Sequence, residues 1–234
     1  MGKNRLLKHI PNTITCLNLF SGCMACMAAF SHNYKSAFLW IFAGAVFDFC
    51  DGYFARFLNY FSPIGKELDS LADLITFGLA PSLLCVSMLM EFTHLFSGVM
   101  SEILPLFGFL IVIFSALRLA KFNIDTKQSN SFIGLPVPAN ALFWCGIAAI
   151  SQSMVFKESY YMWILLFLIL LFSFLMISKL PMFSLKIKNL KWTENKIYFI
   201  FLIVSIFFLL LLGVSGLTVV IVWYILLSIL TKKS

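Results

Sequence analysis

Residues 36–81 read SAFLWIFAGAVFDFCDGYFARFLNYFSPIGKELDSLADLITFGLAP, two apolar stretches that carry Asp48, Asp51, Asp69 and Asp73 near their facing ends. The chain has only five aspartates, and these four fall within 26 residues. An ionised carboxylate in a membrane helix costs about 2.5–3.5 kcal/mol, so four together need a compensating cation or water. Asp48 and Asp51 are three apart and Asp69 and Asp73 four apart, which puts each pair on one face of its own helix. A loop of roughly ten residues with Pro63 and Gly65 is expected to reverse the chain, so that the four carboxylates converge at a water boundary.

Outward from this segment the composition keeps the same character. Hydrophobic residues make up 61% and charged residues 12%, with a mean hydropathy of +0.97, whereas soluble domains carry about 25% charge. An all-α, polytopic transmembrane bundle is expected, with about eight spans near 12–31, 36–58, 69–90, 102–120, 138–156, 160–178, 197–212 and 216–231. The chain reads as a single membrane domain, 1–234. Residues 1–10 form an interfacial amphipathic segment, 11–156 the helices that carry chemistry, and 157–234 additional transmembrane helices to which no chemistry is assigned.

With the amino terminus in the cytoplasm, the eight spans put fifteen Lys and Arg inside and only Lys35 and Lys157 outside. An incorrect span count would scramble that asymmetry, so both termini are expected to be cytoplasmic. The net charge of +7 therefore reads as topological anchoring, and nucleic acid is not an expected partner. The six cysteines all lie in apolar runs, and Cys23 and Cys26 lack the second pair that a zinc site needs, so buried free thiols are expected.

Oxygen-only ligands suit hard cations, and none of His9, His32 or His94 is close enough in sequence to suggest zinc. The four aspartates read as a site for two ions of Mg²⁺ or Mn²⁺, which would clamp phosphoryl oxygens during in-line displacement at phosphorus. The substrate should then carry a phosphoanhydride. Gly44, Gly52 and Gly65 remove side chains where a ligand or another backbone approaches closely. Arg56, one turn past Gly52, either holds a phosphate or anchors the helix at the interface.

The pattern Asp48-Phe-Cys-Asp51-Gly52-Tyr-Phe-Ala55-Arg56, eight residues, Gly65, three residues, Asp69, three residues, Asp73 resembles the signature of the CDP-alcohol phosphatidyltransferase family at every fixed position. The resemblance implies transfer of a phosphatidyl group from a CDP-linked lipid to an alcohol, with release of CMP. It implies metal at Asp48, Asp51, Asp69 and Asp73, with Asp73 as the base for the acceptor hydroxyl. Gly52, Ala55, Arg56 and Gly65 would lie against the CDP moiety, and a homodimer is implied as well.

Further segments are similar to the serine-accepting members of that family: Pro11-Asn12-Thr13-Ile14-Thr15 with Asn18 and Gly22, Asp73 to Pro81, Arg118-Leu-Ala-Lys121-Phe-Asn123, and Phe132 to Ala139. This likeness covers about residues 11–141 and departs at Lys121, where those members carry arginine. It implies CDP-diacylglycerol and L-serine as substrates. Arg118, Lys121 and Asn123 would hold serine, with Arg118 on its carboxylate, although a charge at that helix end also serves as an anchor. Asn12 and Thr15 would reach the CDP group or cap the first helix.

Pro81 is expected to kink the third helix, and Gly134 to Pro138 to form a structured lead into the fifth. Alternative acceptors are glycerol 3-phosphate or an inositol compound. An ion-coupled transporter is the reading of another class, but its acids are expected at the bilayer midplane rather than at one boundary. A short chain with no targeting segment fits a bacterial inner membrane, with the aspartates facing the cytoplasm and membrane lipids as surroundings.

Overall fold

A computed structural model describes residues 9–58, 62–124, 132–153, 159–182 and 195–231. Most of the expected interfacial segment and of the basic loop 179–196, together with Lys127, Lys157, Lys232 and Lys233, lies outside the described residues.

The chain is a bundle of helices. Its helices are α1 (Ile10–Phe30), α2 (Tyr34–Phe57), α3 (Pro63–Asp73), α4 (Ala80–Met90), α5 (Val99–Ile103), α6 (Leu110–Ile124), α7 (Val137–Ser153), α8 (Ser159–Ile177), α9 (Lys196–Leu212) and α10 (Gly216–Thr231). Among the described residues, six helical stretches are long and apolar enough to cross a membrane. The last of them, Lys196–Thr231, is broken at Gly213–Ser215, where Gly213 has φ 60°, so that α9 and α10 pack on each other. Helix α7, at 17 residues, is shorter than any of the six.

The outer surface is apolar, as a lipid-facing surface must be: Phe20, Phe49, Phe57, Phe167 and Leu210 all stand exposed. With lipid outside and apolar side chains inside, packing falls to small residues that let backbones approach. On α1 the inward stripe is Pro11, Thr15, Asn18, Ser21, Gly22, Ala25 and Ala29. It meets Ala37, Ile41 and Gly44 of α2. Larger side chains fill the middle around α7, where the rings of Phe143 and Phe172 stack at 3.7 Å and Trp144 Nε1 donates to Asn140 Oδ1 at 3.2 Å.

Helix α3 begins earlier than the sequence suggests. Pro63 stands in the first turn and Ser62 caps it, its Oγ accepting from Gly65 N–H at 2.9 Å, so Pro63 and Gly65 belong to the helix and not to a ten-residue loop. Pro81 acts on the helix by widening it. Lacking an N–H, it cannot continue the ordinary ladder, and the backbone ahead of it widens into a π-helical turn, Leu74–Leu79, in which Ala80 N–H reaches back to Ile75 O. The rod from Pro63 to Met90 is therefore continuous but widened directly after Asp73.

One short antiparallel ladder interrupts the helical pattern. Strand β1 (Phe132–Ile133) pairs with β2 (Pro181–Met182), Ile133 opposite Pro181. Gly134 follows with φ 77°, donating its N–H to Leu180 O at 2.8 Å, and a methyl there would overlap Met176 O. Only glycine fits both constraints. The cysteines differ in part from expectation: Cys85 and Cys145 are buried, but Cys16 and Cys23 are exposed on the outer face of α1.

Candidate active site

The aspartates of α2 and α3 do converge. One carboxylate oxygen each from Asp48, Asp51 and Asp69 lies within 4.8 Å of the others. Thr15 of α1 closes the third side: its hydroxyl is 2.6 Å from Asp51 Oδ2 and 3.0 Å from Pro11 O. Asp69 Oδ1 is buried with no hydrogen-bond partner among the described residues. Three carboxylates this close repel one another unless a cation stands between them, and an orphaned buried oxygen marks where a ligand bond would form. The donor set is all oxygen and fits Mg²⁺ or Mn²⁺.

Asp73, one turn on from Asp69, has a different setting. Asn18 of α1, fully buried, donates from Nδ2 to Asp73 Oδ1 at 3.3 Å. The backbone beyond is held by Thr76, whose hydroxyl donates to Asn18 O at 3.0 Å and whose side chain lies against Gly22 and Gly44. A methyl on either glycine would overlap Thr76. Gly44 therefore serves helix packing, as one of the two uses open to it in the sequence.

Asp69 and Asp73 line a cavity of about 310 Å³ together with Ser70, Arg118, Leu119, Phe122, Asn123, Pro136, Pro138 and Tyr224. Arg118 is 9% exposed, and its Nε has no hydrogen-bond partner among the described residues. Its guanidinium lies over the Phe122 ring, 5.8 Å from the centroid. A buried guanidinium with an unspent donor is a site for an anion.

The remaining predicted residues fall in three groups. Asn12 lies over the first turn of α3, where its Oδ1 would stand 2.9 Å from a methyl on Gly65. Gly52 faces open space, its nearest neighbour being Arg56, which is exposed and folds back to donate from Nε to Gly52 O at 2.9 Å. Ala55 is partly exposed on the same turn. Asn123 reaches the Asp73 cavity but is also structural: its Nδ2 donates to Ser70 Oγ at 2.8 Å, and its carbonyl accepts from Lys66 Nζ at 3.1 Å. Lys121 instead lines a neighbouring cavity of about 530 Å³ with Lys179, Ser178 and Met176, which meets the first only through Arg118 and Phe122.

Three contributors escaped the sequence reading as site residues. Asn18 carried a signal, a polar side chain one turn past Thr15 inside an apolar span. Thr76 carried a weaker one. Tyr224 carried none, being one aromatic residue in an apolar run of the last helix.

Comparison with known proteins bears on the same residues. The profile of the CDP-alcohol phosphatidyltransferase family matches residues 8–175. A CDP-diacylglycerol–serine O-phosphatidyltransferase of Bacillus subtilis is 42% identical over 132 residues, 56% of this chain and 71% of the relative. One of Helicobacter pylori strain J99 is 34% identical over 203 residues, 85% of this chain and 81% of the relative. An archaetidylserine synthase of Methanothermobacter thermautotrophicus is 33% identical over 135 residues, 57% of this chain and 54% of the relative.

Proposed function

Because this chain belongs to the CDP-alcohol phosphatidyltransferase family, we infer that it is a membrane enzyme that transfers the phosphatidyl group of CDP-diacylglycerol to the hydroxyl of L-serine, giving phosphatidylserine and CMP. The names of its relatives support serine as acceptor. The observation that carries the site is the juxtaposition of the aspartate cluster with a cavity holding Asp73 and a buried Arg118.

In this reading Asp48, Asp51 and Asp69 hold divalent metal, with Asp73 as a further ligand through one oxygen. Metal bound there would neutralise charge on the diphosphate and stabilise the CMP leaving group. Thr15 fixes the rotamer of Asp51, and Asn18 fixes that of Asp73, leaving Asp73 Oδ2 for the acceptor. Asp73 takes the proton of the serine hydroxyl as the oxygen bonds to phosphorus. The bond from that phosphorus to the bridging oxygen breaks, and CMP leaves with the electron pair. Arg118 holds the serine carboxylate in the cavity, and Lys121 and Asn123 assist, Lys121 from the adjoining basic cavity. Gly52, Ala55 and Arg56 form the open face where the cytidine diphosphate would lie, with Asn12 packed on Gly65 as a further part of that site.

The same reading puts the aspartate end of the bundle in the cytoplasm of a bacterial inner membrane, with eight spans, both termini inside, and two copies in the active enzyme. Arg56, Lys66, Arg118, Lys121 and Lys179 belong to helix ends on the aspartate side, whereas Lys35 starts α2 at the other side, which supports that orientation.

The deciding assay uses protein purified in detergent with CDP-diacylglycerol and Mn²⁺ or Mg²⁺. CMP release should require L-serine and should vanish in Asp69→Ala. Release only with glycerol 3-phosphate or an inositol acceptor would keep the family and overturn the acceptor.

A further inference from the structure

The cavity of about 530 Å³ beside the aspartate cavity is bounded by the end of α6 on one side and by the end of α8 with β1 on the other. Its cations are Arg118, Lys121 and Lys179, and no acidic residue is among its described walls. Ile124, Ile133 and Ile177 make part of the remainder apolar, the first two standing exposed. The frame is fixed by close contacts. Gly134 presses on Met176 O and donates its N–H to Leu180 O, which pins β1 across the end of α8. Met176 Sδ in turn lies 3.5 Å from Ser115 Oγ, which ties α8 to α6.

Basic residues at the end of a membrane helix ordinarily anchor it by reaching water, and the exposed Lys121 and Lys179 are free to do so. Arg118 is not, being 9% exposed with an Nε that has no hydrogen-bond partner among the described residues. A buried guanidinium with an unspent donor, two lysines beside it and an apolar wall match a phosphate that carries hydrocarbon. A small soluble anion would make no use of the isoleucines. We propose that this cavity binds the phosphate of an anionic phospholipid, with its glycerol and first methylenes on Ile124 and Ile133, and that occupancy weakens acceptor binding next door. The second half rests on the serine-transfer reading above; the first half does not. Arg118 stands in the wall of both cavities, and a guanidinium presents N–H donors along more than one edge of its plane. An anion on each side then shares one positive charge and repels the other, and Lys121 is drawn to the lipid phosphate as well. Phosphatidylserine is itself an anionic phospholipid, so the coupling would slow its synthesis as anionic lipid accumulates.

The test uses the full chain, purified and delipidated in a neutral detergent, as wild type and as Lys179→Glu, an exposed position outside the proposed chemistry. Phosphatidylglycerol is titrated and the bound lipid counted by native mass spectrometry, with phosphatidylcholine and inorganic phosphate as parallel probes. Wild type should bind phosphatidylglycerol roughly tenfold more tightly than Lys179→Glu, the scale of reversing one basic charge near a headgroup. Phosphatidylcholine should bind both proteins alike. In mixed micelles with phosphatidylglycerol, the wild-type KM for L-serine should rise about fivefold, the low end of ordinary coupling between two sites, while kcat stays within about twofold. Lys179→Glu should show no such rise, Lys179→Gln should fall between the two, and inorganic phosphate should leave the KM unchanged.

Equal affinity of the two proteins for phosphatidylglycerol would overturn the lipid site. An effect of inorganic phosphate without one of the lipid would overturn it too, because the cavity would then take a soluble anion. A serine KM that rises equally in wild type and Lys179→Glu reports the surface charge of the micelle and would overturn the coupling. If Lys179→Glu does not fold, Lys179→Gln decides by the same comparison. Wild-type protein that releases CMP with another alcohol but not with serine would overturn the serine reading, while the difference in lipid affinity still decides the site.

Discussion

Asp73 shares a helix with Asp69 but not its surroundings. Asp69 has a carboxylate oxygen within 4.8 Å of those of Asp48 and Asp51, whereas Asp73 has one oxygen held by Asn18; both line the cavity with Arg118. Asp73→Asn should therefore lower serine-dependent CMP release by at least about 100-fold, the scale of a lost general base, while titration with CDP-diacylglycerol still shows binding. Retained turnover would remove Asp73 from the chemistry. Chelation with EDTA should abolish CMP release, and adding back Mg²⁺ or Mn²⁺ should restore it; activity that persists in chelator would sink the metal reading. The aspartates were legible in the sequence because their spacing and their cost in an apolar helix are local properties. The partner of each one was not, since Asn18 is 55 residues from Asp73 and Thr15 is 36 from Asp51.

At the scale of elements, the glycines of α2 divide into two kinds that look alike in sequence. Gly44 is a packing glycine pressed on Thr76, at the π-helical turn that follows Asp73. Gly52 faces open space, with no atom closer than 3.9 Å to an added methyl. Gly44→Val should lower the melting temperature in detergent, because overpacking a close helix contact costs roughly 1–3 kcal/mol, and should lower activity in step. Gly52→Ala should melt like wild type yet raise the KM for CDP-diacylglycerol, since the methyl would stand where the ligand approaches. A Gly52→Ala variant with ordinary donor kinetics would remove Gly52 from the donor site. The π-helical turn itself was half visible: Pro81 announces a distortion, but its form depends on the contact with α1 and α2.

Across the whole molecule, the two ends of the bundle carry different chemistry. At the end away from the aspartates, Tyr34 donates to Glu91 Oε1 at 2.8 Å and ties α2 to the end of α4. In a variant otherwise free of cysteine, Lys35→Cys should react with a membrane-impermeant maleimide added outside intact cells, and Glu67→Cys should react only after lysis. The reverse pattern would invert the orientation. The sequence by itself determined that the chain lives in a membrane, which family it joins and where four carboxylates gather. The first follows from composition, the last from spacings of three and four residues along single helices, and the family from the likeness of the whole motif to a known signature. Only the tertiary structure decided that Asp69 and Asp73 face a cavity with Arg118, that Lys121 lies in an adjoining one, and that Tyr224 of the last helix lines the first. The physical reason is that lipid is as apolar as a helix interface, so no alternation of polar and apolar residues marks the inward face. Which distant side chains meet is then set by close backbone contacts such as Gly22 and Gly44 on Thr76 and Gly146 on Thr218.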